Sequence, residues 1–136
     1  SGGNSGSQAS TLVIRAMALG QLSLRDAVRV ARRELAAGLT LGSMLAILGI
    51  LRVVLGNQFF GGFGDHAVAL AFTVGVSLVG VVVFGTLAGS MLPLVLRRLG
   101  FDPASASAPF VATLVDVSGL IIYFTTASIM LDGRML

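Results

Sequence analysis

Three long apolar stretches, separated by short polar segments, dominate the chain. Leu35–Gly56 carries one charge, Arg52, near its far end; Ala67–Leu96 carries none; Pro109–Leu131 carries only Asp116. A helix crossing the roughly 30 Å hydrocarbon core of a bilayer needs about 20 mainly apolar residues, and each stretch meets that requirement. A fourth stretch, Gly3–Leu19, holds Asn4, Ser7, Gln8, Ser10 and Thr11 in its first half. It suits a span only where those side chains face other helices or a cavity, as polar intramembrane residues do. The predicted architecture is an all-α membrane protein forming one transmembrane domain. About four transmembrane helices are expected per chain, over approximately 3–19, 35–56, 67–96 and 109–131.

The connections predict an orientation. Gln21–Glu34 holds Arg25, Arg29, Arg32 and Arg33, and the segment after the third stretch opens with Arg97 and Arg98. Arginine-rich loops stay on the cytoplasmic side, so both belong inside. Asn57–His66 has neither Lys nor Arg and belongs outside, as does the tail, where Arg134 is offset by Asp132. Ser23 and Asp26 have the spacing of a capping box, and Leu24, Val28, Ala31 and Leu35 follow at helical intervals. A basic amphipathic helix over approximately 23–34, lying at the headgroup layer, is expected there. Phe59, Phe60 and Phe63 are expected at the opposite headgroup layer, with Asp65 and His66 capping the third span. Asp102 before Pro103 reads as a turn or cap.

Composition supports a membrane protein. Only 11% of the residues are charged, against about 25% in soluble domains, and the mean hydropathy is +0.96. The sequence pI near 11.1 would suit nucleic-acid binding, but the net charge is only +3 and every basic residue is an arginine, most of them in two clusters flanking spans. That arrangement encodes topology, so no nucleic-acid partner is expected. The absence of cysteine excludes disulfides and thiolate metal sites. No Ser/His/Asp set, Walker-type loop or zinc spacing points to an enzyme. Gly38 with Gly42, and Gly85 with Gly89, are small-xxx-small pairs that let helix backbones approach closely, within the chain or toward a second copy.

Asp116 is the candidate for chemistry. A charge near mid-membrane costs at least about 2.5–3.5 kcal/mol on insertion scales, and no basic residue of its own span compensates it. Thr113 and Ser118 offer hydroxyls beside it and Gly119 leaves space. Three readings stand: a protonated carboxyl bonding between helices, a proton-coupled cation or multidrug exporter, and a cation pathway. Four short spans enclose a water-filled path poorly, so both transport readings favour a homo-oligomer with Asp116 near a symmetry axis. A membrane assembly subunit without transport is the further alternative.

Two stretches carry more specific information. Gly2-Gly3-Asn4-Ser5-Gly6-Ser7-Gln8 and its continuation to Gly20 resemble the G-G-N-x-G-x-Q segment of MgtE-type magnesium transporters. Pro109–Leu120 resembles the last pore-lining helix of that family, and Leu96–Pro103 resembles the segment before it. The likeness covers nearly the whole chain. It implies a homodimer around a central pore, in a multi-pass protein of the cell membrane, passing Mg²⁺ down its gradient. By the same resemblance, Asp116 is the intramembrane metal site, with backbone carbonyls near Gly3 and Ala112 helping to hold the hydrated ion. The family's first membrane helix and its cytoplasmic sensing domains are expected outside this sequence. Asn4, Gln8 and Thr113 are candidates for the pore lining or, equally, for hydrogen bonds between helices. Mg²⁺ keeps most of its water and is usually bound by one or two carboxylates, which suits a pore with one Asp per subunit.

Overall fold

The computed structural model describes residues 1–131, so the tail with Asp132 and Arg134 lies outside the described residues. Four α-helices account for nearly all of them: α1 (Gly2–Ala18), α2 (Ala27–Phe60), α3 (Ala67–Arg98) and α4 (Ala108–Leu131). Short 3-10 turns at Leu24–Asp26, Gly64–His66 and Pro103–Ser105 lead into α2, α3 and α4. The helices α2, α3 and α4 are long and apolar enough to cross a bilayer. At about 1.5 Å per residue, the 34 residues of α2 extend about 51 Å, well beyond the hydrocarbon core. The surplus lies at the arginine-bearing start, so the predicted basic helix is the first turns of α2 and continues without a break into the span.

The central element is α3, which packs against each of the other three helices. Its contact with α2 is antiparallel and built on missing side chains. Gly38 faces Val83 and Thr86, Gly42 faces Val79, and Gly75 faces Ala46 and Ile50. The Thr86 hydroxyl also donates to the Glu34 carbonyl at 3.2 Å. On another side of α3, Gly85 and Gly89 receive the backbone of Gly2 and Gly6. Both glycine pairs of the sequence are thus consumed within one chain. Dispersion and close backbone approach hold such contacts together in lipid, which supplies no hydrophobic force between helices.

The position of α1 was not readable from hydropathy. Its first turn lies against Val81 and Gly85, midway along α3, and its last turns meet Leu94 through Val13 and Met17. It therefore runs parallel to α3 along only the half that ends in Arg97 and Arg98. Relative to α4 it runs antiparallel, from Asp116 beside Gly3 to the Ala108 carbonyl beside Ser7. Two hydroxyls fasten this register: Ser7 donates to the Ala108 carbonyl at 3.0 Å, and buried Ser10 donates to that of Ala106 at 2.6 Å.

The two arginine clusters meet at one end of the bundle, where Arg25 and Arg98 line the same groove. There the Ser23 amide donates to Asp26 Oδ2 at 3.0 Å and Arg29 bonds Oδ1 at 2.7 Å. The Ser23 hydrogen bond holds the Asp26 carboxyl below the usual carboxylate range; desolvation opposes it and the Arg29 charge assists it. At the far end Phe59, Phe60 and Phe63 are exposed. One expectation fails at this end. His66 occupies the N-cap of α3 without a side-chain cap, and the turn is held instead by Asn57, which accepts from the Phe63 amide at 3.0 Å. The Asn57 side chain reaches six residues forward to hold the loop, and the amides that a cap would serve are met by backbone carbonyls, His66 donating to Phe63 and Ala67 to Gly64. Asp102 does cap its turn, accepting from the Ala104 amide at 2.9 Å.

Candidate functional site around Asp116

Asp116 sits eight residues after Ala108, about 12 Å along the axis of α4. The side of α4 that packs inward is narrow: Val111, Val115 and Gly119, at spacings of four, are its buried residues. Pro109, Thr113, Asp116 and Leu120, offset from that seam by helical geometry, are exposed. Asp116 therefore lies off the buried seam of α4, on an exposed face of the bundle, with one carboxylate oxygen turned against α1.

Gly3 is the neighbour that shapes this position. It is buried at the start of α1, and a Cβ placed there would run into Asp116 Oδ1, with Asp116 Cγ at 3.0 Å and the Ala112 carbonyl oxygen at 3.2 Å. No residue larger than glycine fits without moving the carboxylate or the helix. The structure thus brings Gly3 of α1 against Ala112 and Asp116 of α4, more than a hundred residues later in the chain: a carboxylate, a backbone carbonyl one turn before it, and a backbone that approaches both.

Asn4 and Gln8, one turn apart on α1, are exposed, as is Thr113 on α4. Thr113 turns its hydroxyl back to the Pro109 carbonyl at 3.0 Å, leaving its oxygen lone pairs available. Sequence reasoning counted Thr11 among the polar residues of this segment without placing it on this face, and gave Arg15 no place there. Asn4, Gln8, Thr11 and Arg15 recur at intervals of four, three and four, and all are exposed. The periodicity that marks a polar helix face was present in the sequence as soon as α1 was read as a helix. Ser7 and Ser10, by contrast, belong to the packing between α1 and the start of α4.

Among the described residues, no three His, Cys, Asp or Glu side chains lie together. The Asp26–Arg29 pair is the ion pair among them, so Asp116 has no cationic side-chain partner there. One chain therefore offers a single carboxylate on an open, partly polar face, and that arrangement contains no nucleophile–base geometry.

Such a bundle of long apolar helices belongs to the class of multi-pass membrane proteins. Comparison with known proteins makes the class specific. The MgtE family of divalent cation transporters matches residues 1–126. The magnesium transporter MgtE of Thermus thermophilus is 48% identical over 132 residues, covering 97% of this chain and 27% of that protein. Those of Enterococcus faecalis and Bacillus subtilis are 33% and 32% identical, each over 93% of this chain and 26% of their own length. The chain belongs to the MgtE divalent cation transporter family. It is a membrane protein of a transporter family, not an enzyme, and it spans about a quarter of the length of these curated relatives.

Proposed function

We propose that this chain forms the ion-conducting part of a Mg²⁺ transporter, and that Asp116 is the site where the ion pauses in the membrane. The observation that carries the reading is the exposed Asp116 carboxylate, with Gly3 and the Ala112 carbonyl closing its inner side. A single carboxylate per chain is too sparse to strip Mg²⁺ of its water, and Mg²⁺ dehydrates reluctantly. The ion passes hydrated, with its waters bridging to the carboxylate and to the backbone carbonyls of Gly3 and Ala112. Asn4, Gln8 and Thr113 line the approach along α1 and α4 and offer neutral oxygens to the same water shell.

Two copies related by a two-fold axis complete the path. A lone exposed carboxylate is costly in lipid, and an isologous pairing of the α1–α4 faces removes it from lipid in both subunits at once. The arginine-rich end lies inside, in keeping with the distribution of charge between loops. The remaining three-quarters of the relatives' length leaves room for cytoplasmic domains that sense the ion.

Flux measured on the full-length protein in liposomes tests the reading. Mg²⁺ entry is expected to follow its own gradient and to persist when the proton gradient is collapsed. Strict dependence on a proton gradient would replace the channel with a carrier in which Asp116 exchanges a proton for the substrate.

A further inference from the structure

The arginine-rich end holds a second feature that ion conduction does not use. Between the start of α2 and the end of α3 lies a groove of about 280 Å³ whose walls include Leu24, Met91, Leu94 and Val95, with Arg25 and Arg98 beside them. Leu24 is 40% exposed and Val95 49% exposed, so much of this apolar wall is uncovered. Arg25 also lines a neighbouring concavity formed by Arg29, Arg32 and Arg33. A slot for hydrocarbon thus opens directly onto a cluster of guanidinium groups.

The geometry points to a binding site for an anionic phospholipid, with one acyl chain in the α2–α3 groove and its phosphate held by Arg25 and Arg98. Charge complementarity selects this occupant. Of the arginines around the two concavities, Arg29 is engaged by Asp26, whereas Arg25 and Arg98 have no acidic partner among the described residues. Guanidinium groups pair with phosphate oxygens in a two-pronged geometry, and basic pockets between membrane helices at the headgroup layer take anionic headgroups. The apolar wall is equally selective: a free phosphate or a soluble phosphoester would leave Leu24 and Val95 uncovered. The position fits as well, because the groove lies where the arginine-bearing end of α2 leaves the span. Occupancy would join α2 to α3 beside the Val13, Met17 and Leu94 cluster that seats the end of α1.

Native mass spectrometry of the full-length protein in detergent tests this, using phosphatidylglycerol and phosphatidylcholine of matched chains as probes. The wild type is expected to retain phosphatidylglycerol in preference to phosphatidylcholine. Each arginine near a charged headgroup contributes about five-fold, the equivalent of about 1 kcal/mol, so Arg25→Ala with Arg98→Ala lowers retention by about 25-fold. Arg52→Ala, at the opposite end, leaves it unchanged. Val95→Trp, which keeps every arginine and fills the groove, also lowers retention; it decides the matter should the arginine pair fail to elute as folded protein. Equal retention of the two lipids, or unchanged retention in the folded arginine pair or in Val95→Trp, overturns the proposal. Displacement of the lipid by millimolar inorganic phosphate would assign the arginines to a soluble anion and overturn it too, as would a wild type whose groove holds a polypeptide segment and no lipid.

Discussion

Substituting alanine for Gly89 probes the contact that places α1, and with it Gly3, against the rest of the bundle. A methyl carbon at Gly89 would stand 2.8 Å from both the carbonyl carbon and the Cα of Gly6, and closer still to the Gly6 carbonyl oxygen. Carbon atoms rest at about 3.5–4.0 Å, so the two backbones must part by roughly 0.7 Å or more. A gap of that size forfeits about a quarter to a half of the dispersion along the contact. Retreat of α1 also pulls the Ser10 hydroxyl from the Ala106 carbonyl, now 2.6 Å away. Overpacking of this kind costs about 1–3 kcal/mol, and the colliding atoms are backbone that cannot rotate away, so the upper end applies. The better helix propensity of alanine returns about 0.8–1.0 kcal/mol, leaving a net loss of about 2 kcal/mol. Gly56→Ala is the matched control, because its nearest neighbour is a Phe63 ring carbon at 3.9 Å. The assay is the temperature at which half of the detergent-solubilised protein leaves the monodisperse peak in size-exclusion chromatography. Gly89→Ala should lower it and Gly56→Ala should leave it level or raise it. A Gly89→Ala protein as heat-resistant as wild type would refute the argument that backbone contact fixes the α1–α3 distance.

Two further outcomes follow from the same structure. Ser10→Ala removes the buried hydrogen bond to Ala106, and a loss of about 1 kcal/mol is expected, read as a lower midpoint in the same heating assay; an unchanged midpoint would show that the hydroxyl does not secure α4. The Asp26 carboxyl is held below its ordinary range by the Ser23 amide, so its stabilisation of the α2 start is complete above that ordinary range and disappears as pH falls through the depressed value. Hydrogen exchange at Ala27–Val30, corrected for intrinsic rates, should show protection lost in acid for wild type and a flat profile for Asp26→Asn; matching profiles would exclude Asp26 as the cause.

The three long helices were legible in the sequence because a bilayer sets a length and makes charge costly, and Leu35–Gly56, Ala67–Leu96 and Pro109–Leu131 meet that length with at most one charge each. Asp116 stood out for the same reason, as the exception inside an otherwise uncharged span. The depth of α1 was not legible. Hydropathy reports whether a segment tolerates lipid, and gives no register between helices; that register is set by Gly2 and Gly6 against Gly85 and Gly89. The sequence marked Gly85 and Gly89 as a close-packing surface, yet their partners lay in an opening segment whose glycines pointed to no particular neighbour. The Asn57 turn escaped notice because one side chain bonds a backbone amide six residues away, a contact that local spacing rules place instead on Asp65 and His66.

The central claim is that Asp116 lies on the ion path. The most direct test is Mg²⁺ uptake by cells or liposomes carrying the full-length protein, comparing native Asp116 with Asp116→Asn and checking expression and oligomeric state in both. Asparagine keeps the size of the side chain and its fit against Gly3 while removing the charge. A loss of uptake with assembly intact is the predicted result. Uptake at the wild-type rate would make the carboxylate a packing group and contradict the account.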